Sequence, residues 1–80
     1  MDAITKENIE GMVEEINKLS RSKKGVVVQR ANGWNNLYLI DKEEYAQRHT
    51  MLQHLTAGTK KEIYEALQHM RWSFWYLMGE

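Results

Sequence analysis

Apolar residues in the first quarter of the chain recur with a helical period: Ile9, Met12, Val13, Ile16 and Leu19 fall on one stripe, with charged residues between them. This spacing predicts an amphipathic helix. Thr5 stands where a hydroxyl can cap the first free amides, and Glu7 and Glu10 lie near the positive end of the helix dipole. The run Ser20-Arg21-Ser22-Lys23-Lys24-Gly25 ends the pattern, because serine and glycine compete with helical backbone bonding.

Two strand-like runs follow. Val26-Val27-Val28 is β-branched, Leu37-Tyr38-Leu39-Ile40 is apolar and aromatic, and Asn32-Gly33 lies between them. Both turn residues tolerate positive φ, so a type I′ turn is expected, joining two antiparallel strands. A two-residue turn sets the register, with Ala31 opposite Trp34, Gln29 opposite Asn36 and Val27 opposite Tyr38 on one face. Val26, Val28, Arg30, Asn35, Leu37 and Leu39 then share the other face.

Residues 41–58 admit two readings. Asp41 and Glu44 have the spacing of a capping box that opens a helix through Tyr45, His49, Leu52 and Leu55. Alternatively, Asp41 to Glu44 is a turn leading into a third strand around Thr50, Met51 and Leu52. The strand is the reading adopted, because three strands give helices a firmer platform than a lone hairpin. Gly58 then breaks the chain, and Thr59-Lys60-Lys61-Glu62 has the form of a capping box. The last helix carries its apolar stripe on Ile63, Ala66, Leu67, Met70, Phe74 and Leu77.

The expected fold is therefore α+β: a single domain over residues 1–80, two layers in the order α-β-β-β-α, with an antiparallel three-stranded meander and both helices on one face. The alternative is α-β-β-α-α with residues 42–55 helical.

Charge and composition narrow the function. Lys plus Arg equals Asp plus Glu at 11 each, so no long-range field draws the chain to nucleic acid or to an acidic membrane. The absence of cysteine, and of any long apolar run, leads us to expect a cytoplasmic protein without a membrane segment. No catalytic constellation is visible. Ser20, Ser22 and Ser73 have no nucleophile context, and the spacing of His49, His54 and His69 does not suit a zinc site. Neither an enzyme nor a bound cofactor or metal is expected. Gly58-Thr59-Lys60-Lys61 brings free amides and two cations to a helix start, but lacks phosphate-loop spacing and reads as a plain cap.

The aromatic residues are the informative surplus. On the last helix Trp72 and Tyr76 fall opposite the core stripe, and Tyr64 and Trp75 lie on its flank. If both helices cover one face of the sheet, the other presents Val27, Gln29, Trp34, Asn36 and Tyr38 to solvent. Large rings on such surfaces are typical of contact sites. The candidate interface is thus Trp34, Tyr38, Trp72, Trp75 and Tyr76, serving a protein partner or a second copy in a homodimer. The rival expectation is nucleic-acid binding, with Lys23, Lys24, Lys60 and Lys61 on phosphate and Trp34 or Tyr38 stacking on bases.

The capped first helix, the run Leu37-Tyr38-Leu39-Ile40, and Leu55-Thr56 leading into Thr59-Lys60-Lys61-Glu62-Ile63-Tyr64-Glu65-Ala66-Leu67 resemble short uncharacterised proteins of bacteriophages and bacterial mobile elements. That likeness implies a fold and an origin, and brings no activity or site residues with it. The element order is also similar to that of double-stranded RNA-binding domains, whose last helix opens on paired lysines as Lys60 and Lys61 do here. Glu62 and Glu65 and the neutral overall charge depart from that pattern.

Overall fold

Asn32 and Gly33 turn the chain with φ of 56° and 78°, the pair of positive angles a type I′ turn requires. The strands on either side pair in the register that a two-residue turn dictates, from Ala31 opposite Trp34 to Lys24 opposite Asp41. A computed structural model describes residues 3–20 and 22–73 of the chain. Its elements are α1 (Lys6–Leu19), β1 (Lys24–Ala31), β2 (Trp34–Asp41), α2 (Lys42–Arg48), β3 (Gln53–Gly58) and α3 (Lys60–Ser73). The fold is α+β in the order α-β-β-β-α, with one short additional helix, α2, between the second and third strands. The sheet is antiparallel with strand order β1-β2-β3, so β1 and β3 are its edges.

Both long helices lie on one face. Ile9, Met12 and Ile16 of α1 meet Ile63 and Leu67 of α3 over Val26 and Leu37 of the sheet, and these seven form the core among the described residues. The stripe predicted for the last helix is thus confirmed at Ile63 and Leu67, with Ala66 and Met70 packed alongside; Phe74 and Leu77 fall outside the described residues. Arg71 of α3 also reaches Glu15 of α1 at 2.8 Å, a partly exposed ion pair that links the last turn of α3 to the second half of α1.

Both helix starts are closed by reciprocal side-chain bonds. Thr5 Oγ1 accepts from the Asn8 amide at 3.1 Å while Asn8 Oδ1 accepts from the Thr5 amide at 3.0 Å. Asn8, rather than an acidic residue, completes this box. At α3, Thr59 Oγ1 accepts from the Glu62 amide at 3.2 Å and Glu62 Oε1 accepts from the Thr59 amide at 2.8 Å. Gly58 leaves room for this box, because a Cβ at this position would come within 2.6 Å of Glu62 Oε1 and make the carboxylate shift. The bonds from Thr59 hold the Glu62 carboxyl below the ordinary carboxylate range.

The segment after β2 combines parts of both readings. Asp41 Oδ1 accepts from the Glu43 and Glu44 amides, each at 3.0 Å, and so opens a helix of two turns. Glu44 does not return the bond and pairs instead with Arg48 at 3.2 Å. His49 ends α2 in the left-handed region, φ 57°, and the strand begins later than expected, at Gln53 rather than around Thr50 to Leu52. The reason is the strong cap at Asp41, which leaves β3 to start after the chain has turned back. β3 then pairs with β2 through a bulge opposite Leu37 and Tyr38.

The edge of β1 is closed at one point by α1. Asn17 Oδ1 accepts from the Val26 amide at 2.8 Å and Asn17 Nδ2 donates to the Val26 carbonyl at 3.0 Å, the two bonds a neighbouring strand would make. Gly25 permits this approach, since a Cβ there would lie 2.6 Å from Asn17 Oδ1. Lys42, the first residue of α2, donates its ammonium to the Asn17 and Ser20 carbonyls, each at 2.8 Å, and so caps the last turn of α1. The buried Ser20 hydroxyl donates to the Lys24 carbonyl at 2.8 Å.

Asn17→Ala removes both bonds to the β1 edge and is expected to cost about 1–3 kcal/mol in urea denaturation. Because the folded Glu62 carboxyl titrates low, its capping contribution is present in full above the unfolded carboxyl range and is lost as pH falls through the lowered folded value. Glu62→Gln keeps a cap oxygen but cannot titrate. In acid unfolding the variant is expected to give a flatter dependence of stability on pH below about 4.5 than the unaltered chain.

Candidate interaction surfaces

The sheet face away from α1 and α3 carries Trp34, Asn36 and Tyr38 from β2, as the two-residue alternation of a strand demands. It is not the open platform expected from the sequence. α2 folds against β2 on this side, and Ile40, two residues beyond Tyr38 on the same face, is buried without belonging to the main core. Tyr45 of α2 accepts a hydrogen bond at 3.3 Å from Gln29 Nε2, so one helix side chain roofs the middle of the face. Val27 and Tyr38 are consequently half-buried.

What remains uncovered is the end next to the hairpin turn, where a connected set of rings and amides holds its shape. The Tyr38 and His54 rings lie 5.1 Å apart and tilted, directly across the β2–β3 pair. His54 Nε2 is 3.2 Å from Asn36 Oδ1, which can only accept, so Nε2 carries the proton in this pair. Asn36 Nδ2 in turn donates to the Trp34 carbonyl at 3.3 Å and the Gln29 carbonyl at 3.4 Å. At the other end of the network the Tyr45 ring meets His49 edge-on at 5.1 Å. Trp34 stands at the border of this set with 52% of its surface exposed.

Trp72 is more exposed still, at 75%, but it is not part of the same surface. α3 starts beside Gly58, which pairs with Asn35 near the turn, and its last turn reaches Glu15 in the second half of α1. Fourteen helical residues span roughly 21 Å, so Trp72 lies in the other layer, near the opposite end of the sheet from Trp34. There it rims a shallow hollow with Gln68, His69 and Arg71. Trp75 and Tyr76 lie outside the described residues.

The candidate phosphate contacts are also divided. Lys24 begins β1, opposite Asp41, with Lys23 just before it, whereas Lys60 and Lys61 begin α3 near the hairpin turn. The eight residues of β1 separate the two pairs by roughly 25 Å along the strand. Among the described residues no group of three or more His, Cys, Asp and Glu side chains is placed to hold a metal ion. No helix of the described residues is long and apolar enough to cross a membrane.

The sequence reading missed one surface altogether. A groove of about 690 Å³ runs between α1 and the outer edge of β1, floored by Ile9, Val13 and Val28 and bordered by Arg30, Lys6 and Lys60. Its signal in the sequence was slight: Asn17, an amide on the helix that turned out to bind a strand edge. Comparison with protein-family models, with curated proteins and with solved structures finds no match to the chain.

Among the described residues the Trp34 ring has no hydrogen-bond partner, and it lies half in solvent, so its removal should affect folding little. Trp34→Ala is expected to change the free energy of unfolding by no more than about 0.5 kcal/mol. A thermal or urea melt checks this, and a loss several times larger would make the ring structural.

Proposed function

We propose that this chain is a small, non-catalytic binding module of the cytoplasm that recognises protein and associates with itself through the uncovered, ring-bearing end of its sheet. The observation that carries this reading is the state of Trp34. A large ring stands half-exposed beside a set of neighbours already locked by hydrogen bonds, so little side-chain freedom is lost on contact. Indole rings in such settings are common anchors of protein interfaces. Trp72, in the other layer, would serve as a second contact rather than as part of the first.

Protein is favoured over nucleic acid because Lys23 and Lys24 stand apart from Lys60 and Lys61, and a neutral chain lacks the continuous cationic track that phosphate binding uses. The likeness to small phage and mobile-element proteins belongs to this reading as its proposed origin. Self-association would also enlarge the apolar area buried by a short chain.

Light scattering at tens of micromolar should give a dimer for the unaltered chain and a monomer for Trp34→Ala. A monomeric unaltered chain removes self-association through this surface. Salt-dependent binding of a short single- or double-stranded RNA in fluorescence anisotropy, retained in Trp34→Ala, would instead favour phosphate recognition by the lysines.

A further inference from the structure

We propose that the groove between α1 and β1 binds an extended peptide of a partner protein, which adds as a strand to the β1 edge and presents an apolar and an acidic side chain two positions apart. This surface is separate from Trp34 and does not depend on the self-association proposed above.

The hydrogen-bonding groups are laid out for a strand. In a hairpin closed by a two-residue turn, the flanking pair Ala31 and Trp34 exchanges backbone bonds, and pairs alternate from there. Arg30, Val28 and Val26 therefore aim their amides and carbonyls away from β2. Asn17 uses both groups of Val26, which confirms the direction and shows the edge taking a donor and an acceptor together. Val28 and Arg30 have no such partner among the described residues. The free stretch thus runs from the Asn17 contact to the hairpin turn, long enough for a segment of about four extended residues.

The side chains define the occupant. Val28 and Arg30 point to the same face as Val26, towards α1, where Val28 and Val13 form an apolar floor and Arg30 stands next along it. A strand laid beside β1 has the same two-residue period, so an apolar residue over Val13 and Val28 places its neighbour two positions on beside Arg30. That end of the groove is cationic. Among the described residues Arg30 and Lys60 have no ion pair, and Lys6 has one exposed contact of 3.9 Å to Glu10. Glu10 and Glu14 line the helix wall, and with Lys18 at the far end the described residues of the groove supply four cations against two carboxylates. An acidic residue is the complement. A phosphodiester backbone fits less well, because it has no donor for the Val28 and Arg30 carbonyls and no apolar group for the floor.

Amide NMR of the full chain tests this, with acetyl-threonyl-valyl-threonyl-glutamyl-threonine amide as the probe. Two control peptides carry lysine in place of glutamate, or N-methyl groups on both the valine and the central threonine. The glutamate peptide should shift the Val13, Val28 and Arg30 amides and slow hydrogen exchange at Val28 and Arg30. The lysine peptide should bind at least tenfold more weakly, and the N-methylated peptide should produce no shifts. Arg30→Glu with Lys60→Glu should reverse the charge preference, and because the peptide swap tests charge on the unaltered chain, a poorly folded variant does not cost the experiment its result. The proposal is overturned by no shifts at millimolar peptide, by equal binding of the N-methylated peptide, or by a single-stranded RNA decamer moving the same amides more tightly. It is equally overturned if Val28 and Arg30 are already protected in the free protein. Protection that grows with protein concentration would assign the groove to a second copy, and protection independent of concentration to the chain's own end.

Discussion

A strand at the edge of a sheet must satisfy its outward amides and carbonyls or leave them to solvent, and in this fold that constraint decides where α1 sits. Asn17 supplies the partner at Val26, and its bonds tie the helix to the strand edge as well as to the sheet face. Gly25 leaves room for the amide, Lys42 holds the carbonyls of the helix turn that carries it, and Ser20 closes the connection behind it. With α1 held there, Ile9, Met12 and Ile16 lie over Val26 and Leu37 and meet Ile63 and Leu67 of α3. A thin core is thus positioned by a small polar joint at its margin. The joint uses one donor and one acceptor from a single side chain, and among the described residues the outward backbone groups of Val28 and Arg30 are left without a partner.

The two faces of the sheet follow different rules. The front face is covered by apolar stripes on two helices. The back face is covered by α2 only in part, and its centre is held by a chain of polar contacts from Tyr45 through Gln29 and Asn36 to His54. Such contacts fix side-chain positions without burying much apolar area, so they shape a surface rather than build a second core. The result is a defined ring and amide border beside Trp34, with little of the freedom that an exposed face ordinarily keeps.

The distribution of charge agrees with a role in protein recognition. Equal numbers of acidic and basic residues leave no general attraction for polyanions, while the local balance along the α1 and β1 groove is cationic. Local fields of this kind select among partners at short range more than they draw them from afar. The Trp34 border lies on the back of the sheet and the groove on its front edge. A small domain can therefore use one surface without closing the other.

Much of the fold was legible in the chain because it rests on short-range rules. Helical periodicity located α1 and the described part of α3, the Thr59 to Glu62 spacing located a cap, and Asn32-Gly33 determined the hairpin register to the residue. These features depend on neighbours within a few positions, which sequence displays directly. The segment 41–58 was legible only in pieces, since a cap at Asp41 and strand-forming residues further on compete within one short span, and pairing with β2 decides where the strand begins. The candidate rings were visible as residues, yet their surroundings were not: Tyr38 is half-sheltered by His54, sixteen positions away, and Trp72 is separated from Trp34 by the packing of two layers. Asn17 is the clearest case. As a letter it is an ordinary polar residue on a helix, and only the approach of β1, nine residues on, turns it into the partner of a strand edge and leaves a groove beside it. Local order follows from the period and the caps; which polar groups meet across the chain depends on how the elements pack, and that is a property of the folded whole.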